Sequence, residues 1–211
     1  MTATTIQTKM LSIAPGDLPP RDAYRLMLSV VAPRPIAWVS SIGADGTLNL
    51  APFSFFNGVG GNPPTVMFSV GQRKGQRKDT LRNVQETGEF VINIVSEELA
   101  EAMNQTSGEW PYEVNEFELA GLETAPSMDV RPPRVAAAPV AMEARVTQIV
   151  PVLGTTSTMV LGRIVRFHFR EGLLRDNGLV DAMLVRPIAR LGGDEYATIG
   201  SVFAMPRPQV R

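Results

Sequence analysis

The sequence has no cysteine and only one histidine, His168. Without cysteine the protein has no disulfide, no thiolate nucleophile and no cysteine-ligated zinc or iron–sulfur site. A zinc site built on a single histidine would need an unusual set of carboxylates. A Ser-His-Asp triad would have to use His168, and the chain contains no G-x-S-x-G. These absences argue against hydrolysis as the reaction.

Long apolar segments and glycine-rich nucleotide motifs are also lacking. No apolar run approaches the length of a transmembrane helix, and the N-terminus lacks the apolar segment of a secretory signal. There is no G-x-G-x-x-G after a strand and no G-x-x-x-x-G-K-[ST], which excludes a Rossmann turn and a P-loop. The formal net charge of −1 argues against nucleic acids and anionic membranes as partners. We therefore expect a cytoplasmic protein with no nucleic-acid or membrane partner.

Turn-forming residues, by contrast, are abundant. The 211 residues include 18 glycines and 17 prolines, while 44% of the chain is apolar and 19% is charged. This composition is typical of a globular protein with many turns. Six or more predicted strands with a few short helices indicate a mainly β fold, a small barrel with helical decoration. We expect one domain over residues 19–205, preceded by an N-terminal arm (1–18) and followed by a C-terminal tail (206–211).

The stretch from Arg34 to Asn57 gives the strongest local signal. Two runs rich in β-branched and aromatic residues flank a G-A-D-G segment, and this pattern predicts a β-hairpin. Small hydrogen-bonding side chains lie among the aromatic ones, namely Ser40, Ser41, Asn49, Ser54 and Asn57. A planar polar ligand needs such apolar walls with a few placed donors. The same pattern also fits a half-buried strand whose hydroxyl groups bond to neighbouring backbone.

A second signal is the concentration of charge in residues 73–82. This segment holds one acid and five cations, namely Asp79 with Arg73, Lys74, Arg77, Lys78 and Arg82. A helix is predicted to begin here, with Asp79 or Thr80 near its N-cap and Leu81 and Val84 on its buried face. Free N–H groups at this helix start, beside cationic side chains, would bind an anion such as phosphate. A solvated basic loop with an ordinary capping aspartate is the alternative.

The remaining elements follow from periodicity and turn residues. Helices are predicted between Pro19 and Pro33 and after Ser96. Further strands are predicted at 65–70, 89–95, 135–152 and 158–169, with a loop at 58–64. Residues 104–134 form a proline-rich excursion with one short strand around Leu122. Its Trp110 and Tyr112 either wall a pocket or pack on each other.

Together, the hairpin and the basic helix start suit a flat heteroaromatic ring that carries a phosphate. Three stretches resemble the flavin reductase-like family of FMN-binding split barrels: R-P-I-A-W-V-S-S…D-G-T-L-N-L-A-P-F-S-F-F-N, P-P-T-V-M-F-S-V and R-K-D-T-L-R-N-V-Q-E-T-G-E-F-V-I-N-I-V. The later E-F-E-L-A-G-L, L-G-R-I-V-R-F-H and A-R-L-G-G-D-E-Y-A resemble its flavoredoxin-type branch. The resemblance implies a six-stranded Greek-key split β-barrel and a homodimer, with FMN at or near the subunit interface.

The resemblance also implies roles for individual residues. Ser40 and Ser41 would contact the ribityl or phosphate end of FMN. The edge of the isoalloxazine ring would be lined by Asn49, Ala51, Pro52, Phe53 and Ser54. The phosphate would be held by Lys78, Asp79 and Thr80, in agreement with the anion site argued above. His168 and Tyr196 are further candidates for the ring or nicotinamide side.

For function, the resemblance implies an FMN-dependent flavin reductase that passes a hydride from NADH or NADPH to flavin N5. Positioning and hydrogen bonds to the ring, and no side-chain acid or base, would supply the catalysis. Reductases of two-component monooxygenases carry a G-D-H motif near the nicotinamide, where this chain has Gly154-Thr155-Thr156-Ser157-Thr158. This departure leaves open a flavoredoxin-like electron carrier reduced by a protein partner, and a third alternative is a barrel that binds no flavin. The implied partners are flavin and nicotinamide nucleotides, and a monooxygenase or electron-transfer protein.

Overall fold

The computed structural model of the protein describes residues 9–72 and 75–209. Its helices are α1 (Pro20–Val30), α2 (Asp79–Thr87), α3 (Ala100–Gln105), α4 (Glu116–Leu119) and α5 (Ala182–Val185), with 3-10 turns at Pro15–Asp17 and Glu97–Leu99. Its strands are β1 (Arg34–Pro35), β2 (Ala37–Ile42), β3 (Leu48–Phe53), β4 (Phe56–Gly61), β5 (Pro64–Val70), β6 (Glu89–Ile94), β7 (Thr124–Ala125), β8 (Arg134–Val135), β9 (Val140–Pro151), β10 (Thr158–Phe169), β11 (Ala189–Arg190) and β12 (Tyr196–Ala197). Within the described ranges, none of the helices has the length and apolarity needed to span a bilayer.

Seven antiparallel strands form the main sheet, in the order β3-β2-β6-β9-β10-β5-β4. After the β2–β3 hairpin, the chain passes from one edge of this sheet to the other, where β4 begins. The sheet curls until β3 contacts β5, and the rings of Phe53 and Phe68 lie 5.2 Å apart across that gap. Side-chain packing thus joins the two halves, as in a split barrel. The predicted mainly β class is confirmed.

The hydrophobic core fills the inside of the curled sheet. Because successive strand residues point to opposite faces, Ala37 and Val39 of β2 face this core, together with Phe90 and with Leu81 and Val84 of α2. The other face of β2 packs under the segments that follow β6, in a second cluster formed by Ile36, Trp38, Leu50, Leu99, Met103 and Phe117. The hairpin is therefore buried on both faces, which explains its low content of charged residues.

Three local predictions differ from the structure. The glycine-rich segment expected as a loop forms β4, whose backbone pairs with β5 and makes the main sheet seven-stranded. Tertiary pairing here overrides the poor strand propensity of glycine. The strand predicted at 135–152 begins only at Val140, as β9. Asp79 and Thr80, the first two residues of α2, lie next to its N-cap, Lys78, as predicted. The short strand expected around Leu122 is β7, which starts at Thr124, and the preceding helix α4 was not predicted.

Candidate functional site

Two adjoining cavities lie beside β3. The helix cavity, of about 550 Å³, is formed by the start of α2, by residues 106–112 and by Glu116. The strand cavity, also of about 550 Å³, is formed by α1, β1, the β3–β4 connection, the end of β5, the β9–β10 loop and β11–β12. Both volumes lie in the range of roughly 300–1,000 Å³ that is usual for small-molecule pockets. Pro52, Lys78 and Ser107 line both cavities, so the two spaces share a wall.

The start of α2 gives the helix cavity a site for negative charge. In the first turn of a helix the backbone N–H groups have no partner within the helix. The Lys78 side chain makes no capping hydrogen bond, and its Nζ lies 5.7 Å from the ring centre of Phe53. Arg77 and Arg82 also line this cavity. Free N–H groups, the positive end of the helix dipole and three cations together favour an anion.

A buried polar network fixes this helix start against the hairpin. The Asn49 side-chain amide donates to Thr80 Oγ1 at 2.9 Å and to Ser41 Oγ at 3.2 Å. The Asn83 amide donates to the same Ser41 Oγ at 3.1 Å. All four residues are buried, and Asn49 and Thr80 extend to the cavity lining. Since buried polar groups need partners, this network sets the position of α2 relative to β2 and β3.

The excursion after α3 closes the helix cavity from the other side. The Arg82 guanidinium carbon lies 3.4 Å from the ring centre of Tyr112, which is a cation–π contact. The Tyr112 hydroxyl donates to Asp45 Oδ1 at 2.8 Å, and burial raises the pKa of Tyr112. Trp110 lines the cavity too, so Trp110 and Tyr112 both act as walls. Arg82 Nη2 is buried without a hydrogen-bond partner, although it lies 3.6 Å from Asp79 Oδ1.

Glu116 is a lining residue of the helix cavity to which sequence reasoning gave no role. Its side chain is 7% exposed, and its Oε2 accepts a hydrogen bond from the Leu50 N–H at 3.0 Å. Burial and, to a smaller extent, the charge of Asp79 raise the pKa of Glu116 to about 7. Asn115, whose side chain caps α4 at the Phe117 N–H, was the available signal. It marks a helix that begins with Glu116, but the spacing cannot show that this residue reaches β3.

The strand cavity combines apolar walls with positive charge. Its cationic side chains are Arg34, Lys78 and Arg190, and no carboxylate lines it in the part of the chain that the structure describes. Arg34 is buried and donates to the carbonyls of Leu28 and Leu191, at 2.6 and 2.7 Å, and to that of Val31. Burial lowers the pKa of Arg34.

Arg190 and Tyr196 form the opposite side of the strand cavity. Arg190 donates to the Tyr196 hydroxyl, and its guanidinium carbon lies 4.6 Å from the ring centre of that tyrosine. The apolar walls include Phe53, Phe55 and Met103. This cavity therefore suits a ligand with an apolar, planar part and negative charge.

The structure brings most of the predicted site residues together. Asn49, Ala51, Pro52, Lys78, Asp79 and Thr80 line the helix cavity, and Pro52, Phe53, Ser54, Lys78 and Tyr196 line the strand cavity. Ser40 and Ser41 are buried and line neither cavity, since Ser40 donates to the Pro133 carbonyl and Ser41 belongs to the polar network. Two cations of the basic segment, Arg73 and Lys74, lie outside the described residues.

His168 is not brought to either cavity. Its Nε2 lies 2.6 Å from Oε1 of the buried Glu143, on the β9–β10 hairpin. Glu143 also accepts hydrogen bonds from the N–H groups of Met128, Asp129 and Val130, at 2.7, 2.6 and 3.1 Å. The histidine thus belongs to an anchor for the loop before β8, and its position gives no support to a role beside a ring.

Comparison with known proteins gives a consistent family. Residues 29–184 match the model of the flavin reductase like domain. A similar solved structure is nitrilotriacetate monooxygenase component B from Bacillus cereus, with 39% identity, a TM-score of 0.90, and coverage of 94% of this chain and 100% of that one. Another is the 2-nitrobenzoate 2-nitroreductase of Pseudomonas fluorescens, with 34% identity, a TM-score of 0.85, and coverage of 94% and 96%. The flavoredoxin of Desulfovibrio vulgaris is 25% identical, with a TM-score of 0.73 and coverage of 83% and 91%. From this match and from the split-barrel fold, we conclude that the chain belongs to the flavin reductase-like domain family.

Proposed function

We propose that the protein is an FMN-dependent oxidoreductase, and specifically an NAD(P)H:flavin reductase. The observation that carries this proposal is the pair of cavities with a shared wall. One cavity lies at a cationic helix start, and the other has aromatic walls and three cations. A ligand with a phosphate at one end and a flat ring at the other fits such a pair.

The residues present fit FMN in both chemistry and arrangement. Lys78, the Thr80 hydroxyl and the free N–H groups of α2 would hold the phosphate, and the buried unpartnered Nη2 of Arg82 adds a donor at that end. Pro52, Phe53 and Ser54 would lie along the ring. Ser41 would act indirectly, because it orients Asn49.

When bound, FMN supplies the capacity to accept a hydride and to pass electrons on. The chain itself binds and orients the reactants. The polar network keeps Asn49 and Thr80 in fixed positions, and the strand cavity attracts the negatively charged phosphates of NADH or NADPH through Arg34, Lys78 and Arg190. Positioning of this kind accelerates a transfer without side-chain acid–base chemistry.

The test is a visible absorption spectrum of the purified protein with FMN, recorded anaerobically before and after NADH and then NADPH. Rapid bleaching with either nucleotide is the expected result, and it would identify the donor. A colourless protein that does not retain added FMN would refute the proposal. Bound flavin that bleaches only with dithionite would favour the second candidate function below.

The second candidate is a flavoredoxin-like FMN electron carrier reduced by a protein partner. The observation that favours it is the β9–β10 loop, where Thr156 and Ser157 face the strand cavity and no G-D-H occurs. Likeness to a flavoredoxin supports it as well.

The similar structures suggest different electron acceptors. Nitrilotriacetate monooxygenase component B suggests that reduced flavin serves an oxygenase partner. The nitroreductase suggests direct reduction of a nitroaromatic acid, and the strand cavity would suit an aromatic anion. Oxidation of NADH that depends on added 2-nitrobenzoate under anaerobic conditions would select the second acceptor. If NADH oxidation does not depend on 2-nitrobenzoate, free flavin remains the electron acceptor that we propose.

We also propose a homodimer. The helix α1 has no buried residue, and its apolar side chains Leu26, Met27 and Val30 are exposed. An apolar helix face of this kind is covered in a stable protein, and a second copy of the chain is the partner that the family resemblance implies.

A further inference from the structure

A buried carboxyl group, that of Glu116, lies in the helix cavity and has no cationic partner among the described residues. Among the described residues, no ion pair involves Glu116, and its one hydrogen bond to another residue comes from the Leu50 N–H at 3.0 Å. A carboxylate that is 7% exposed loses most of its hydration, and a single N–H group replaces only part of it. Protonation of Glu116 to the neutral acid is therefore easier than protonation of an exposed glutamate.

The charged and titratable groups around the helix cavity do not restore the ordinary acidity of Glu116. They are Arg77, Lys78, Asp79, Arg82, Glu109 and Tyr112. The Arg82 guanidinium lies on the Tyr112 ring and 3.6 Å from Asp79 Oδ1, and it makes no ion pair with Glu116. The strand β3 contributes only the uncharged Asn49, Ala51 and Pro52 to the lining. The negative charge of Asp79 acts in the same direction as burial, and both raise the pKa of Glu116, which is about 7.

The two protonation states of Glu116 would interact with an anionic ligand in opposite ways, one repulsive and one attractive. A carboxylate repels a phosphate or leaves its oxygen atoms without a donor, while a carboxylic acid has an O–H group to donate. Since the anion site at α2 and Glu116 line the same cavity, a phosphate ester bound there would stabilise the protonated form. By linkage, protonation would strengthen binding to the same extent.

We propose that Glu116 binds the flavin mononucleotide as a neutral acid, donating a hydrogen bond to an oxygen of its ribityl phosphate chain, so that flavin binding takes up one proton. This rests on the proposed function, because it takes FMN as the ligand of the helix cavity. Its consequence is regulatory: the protein retains flavin below neutral pH and releases it more readily as the pH rises.

The sign of the effect follows from the free protein. Because the pKa of Glu116 in the free protein lies at about 7, both its protonated and its ionised form are populated near neutral pH. At higher pH the carboxylate form dominates, and a proton must be taken up before the flavin is held. The dissociation constant for FMN should therefore rise above pH 7, by up to about tenfold per pH unit.

The test is a titration of FMN fluorescence quenching at pH 7, 8 and 9, with calorimetry in two buffers of different ionisation enthalpy to count protons. The wild-type protein should bind progressively more weakly and take up close to one proton at pH 8. Glu116→Gln keeps an acceptor for the Leu50 N–H and a neutral donor. It should bind FMN at pH 7 within a few-fold of wild type, with a flat pH profile and no proton uptake.

Glu118→Gln is the matched control, because Glu118 lies on the same helix and is exposed, and among the described residues its side chain hydrogen-bonds only with Asn115. It should behave as wild type. A wild-type protein that binds FMN with no proton uptake would overturn the inference and leave the proposed function intact. A protein that binds no FMN at any pH would instead refute the proposed function and the inference together. The proton count is made on the wild-type protein, so it does not depend on how a variant folds.

Discussion

At the scale of single residues, the anion site depends on Lys78 and Thr80. Lys78 lines both cavities, and the Thr80 hydroxyl meets the Asn49 amide inside the helix cavity. Sequence reasoning could name both residues, because the basic segment and a helix start near Asp79 or Thr80 are visible in the chain. It could not place Glu116 there, because contact with β3 depends on how the excursion folds back.

Replacing Lys78 or Thr80 with alanine should weaken FMN binding. Hydrogen bonds to charged groups contribute about 1.5–3 kcal/mol, so each change should raise the dissociation constant by roughly 10- to 100-fold. Equilibrium titration of FMN fluorescence measures this change. Arg163→Ala is the control, because Arg163 is an exposed cation on β10 and lines neither cavity. Equal flavin retention in all four proteins would contradict the assignment.

The interaction between Glu143 and His168 makes a second prediction at this scale. Burial alone would raise the pKa of Glu143, but hydrogen bonds from Met128, His168 and Asp129 outweigh it and hold the pKa below its ordinary value. A lowered pKa stabilises the fold above the unfolded-state pKa of about 4.3, and this contribution is lost as the pH falls through the folded-state value.

Glu143→Gln should therefore lower the free energy of unfolding at pH 7 by about 2 kcal/mol or more, since one amide oxygen cannot satisfy donors that now bond to two carboxylate oxygens. Below pH 4 the difference from wild type should shrink. Urea unfolding at pH 7 and pH 3.5 measures both values, with the exposed Glu123→Gln as control. A difference that is constant with pH would exclude this account. Sequence alone leaves His168 as a candidate for the ligand, because it does not show that Glu143 lies on the neighbouring strand.

At the scale of elements, runs of β-branched and aromatic residues bounded by turn residues located most of the main sheet. The hairpin of β2 and β3 and the long pair β9 and β10 appear as predicted, because one or both faces of each strand are buried, although β9 begins at Val140 and not at Val135. The strand β4 could not be predicted, since its F-N-G-V-G-G sequence has neither alternation nor side-chain bulk. It exists because the backbone of β5 offers it hydrogen bonds.

A glycine in β10 allows close packing against β6, and substituting it tests how tightly the core of the sheet is packed. A Cβ atom added at Gly162 would lie 2.3 and 2.6 Å from two ring atoms of Phe90 on β6. Gly162→Ala should therefore lower the free energy of unfolding by about 1–3 kcal/mol through overpacking. Gly61→Ala in β4 is the matched control, since nothing lies within 4 Å of its added Cβ. Urea unfolding of both variants measures the contrast, and equal stabilities would show that the Phe90 ring moves aside freely.

At the scale of the whole molecule, composition and resemblance predicted a small, mainly β barrel, and the observed sheet agrees. The division of the site into two cavities could not be predicted. It arises because the excursion, the β9–β10 loop and β11–β12 reach β3 from different parts of the chain. Such convergence leaves no pattern in a single sequence.

The proposed dimer is tested through α1. Val30 is 71% exposed, and Val30→Asp would put a charge into a face that we expect to be covered. Light scattering coupled to size-exclusion chromatography should show a dimer for wild type and a shift towards monomer for the variant. Glu101→Asp, an exposed substitution on α3, should leave the dimer unchanged. A wild-type monomer at micromolar concentration would refute the dimer.

Arg34 connects the helix α1, whose apolar face we propose as the dimer surface, to the strand cavity inside the protein. One guanidinium holds the final carbonyls of α1 and the backbone of Leu191, and the same residue lines the strand cavity. A second subunit bound to α1 would hold these hydrogen bonds of Arg34 more rigidly. Dissociation of the dimer on dilution would make them more mobile. The affinity for flavin would then depend on how much of the protein is present, so that the protein's own concentration becomes a variable in its redox chemistry.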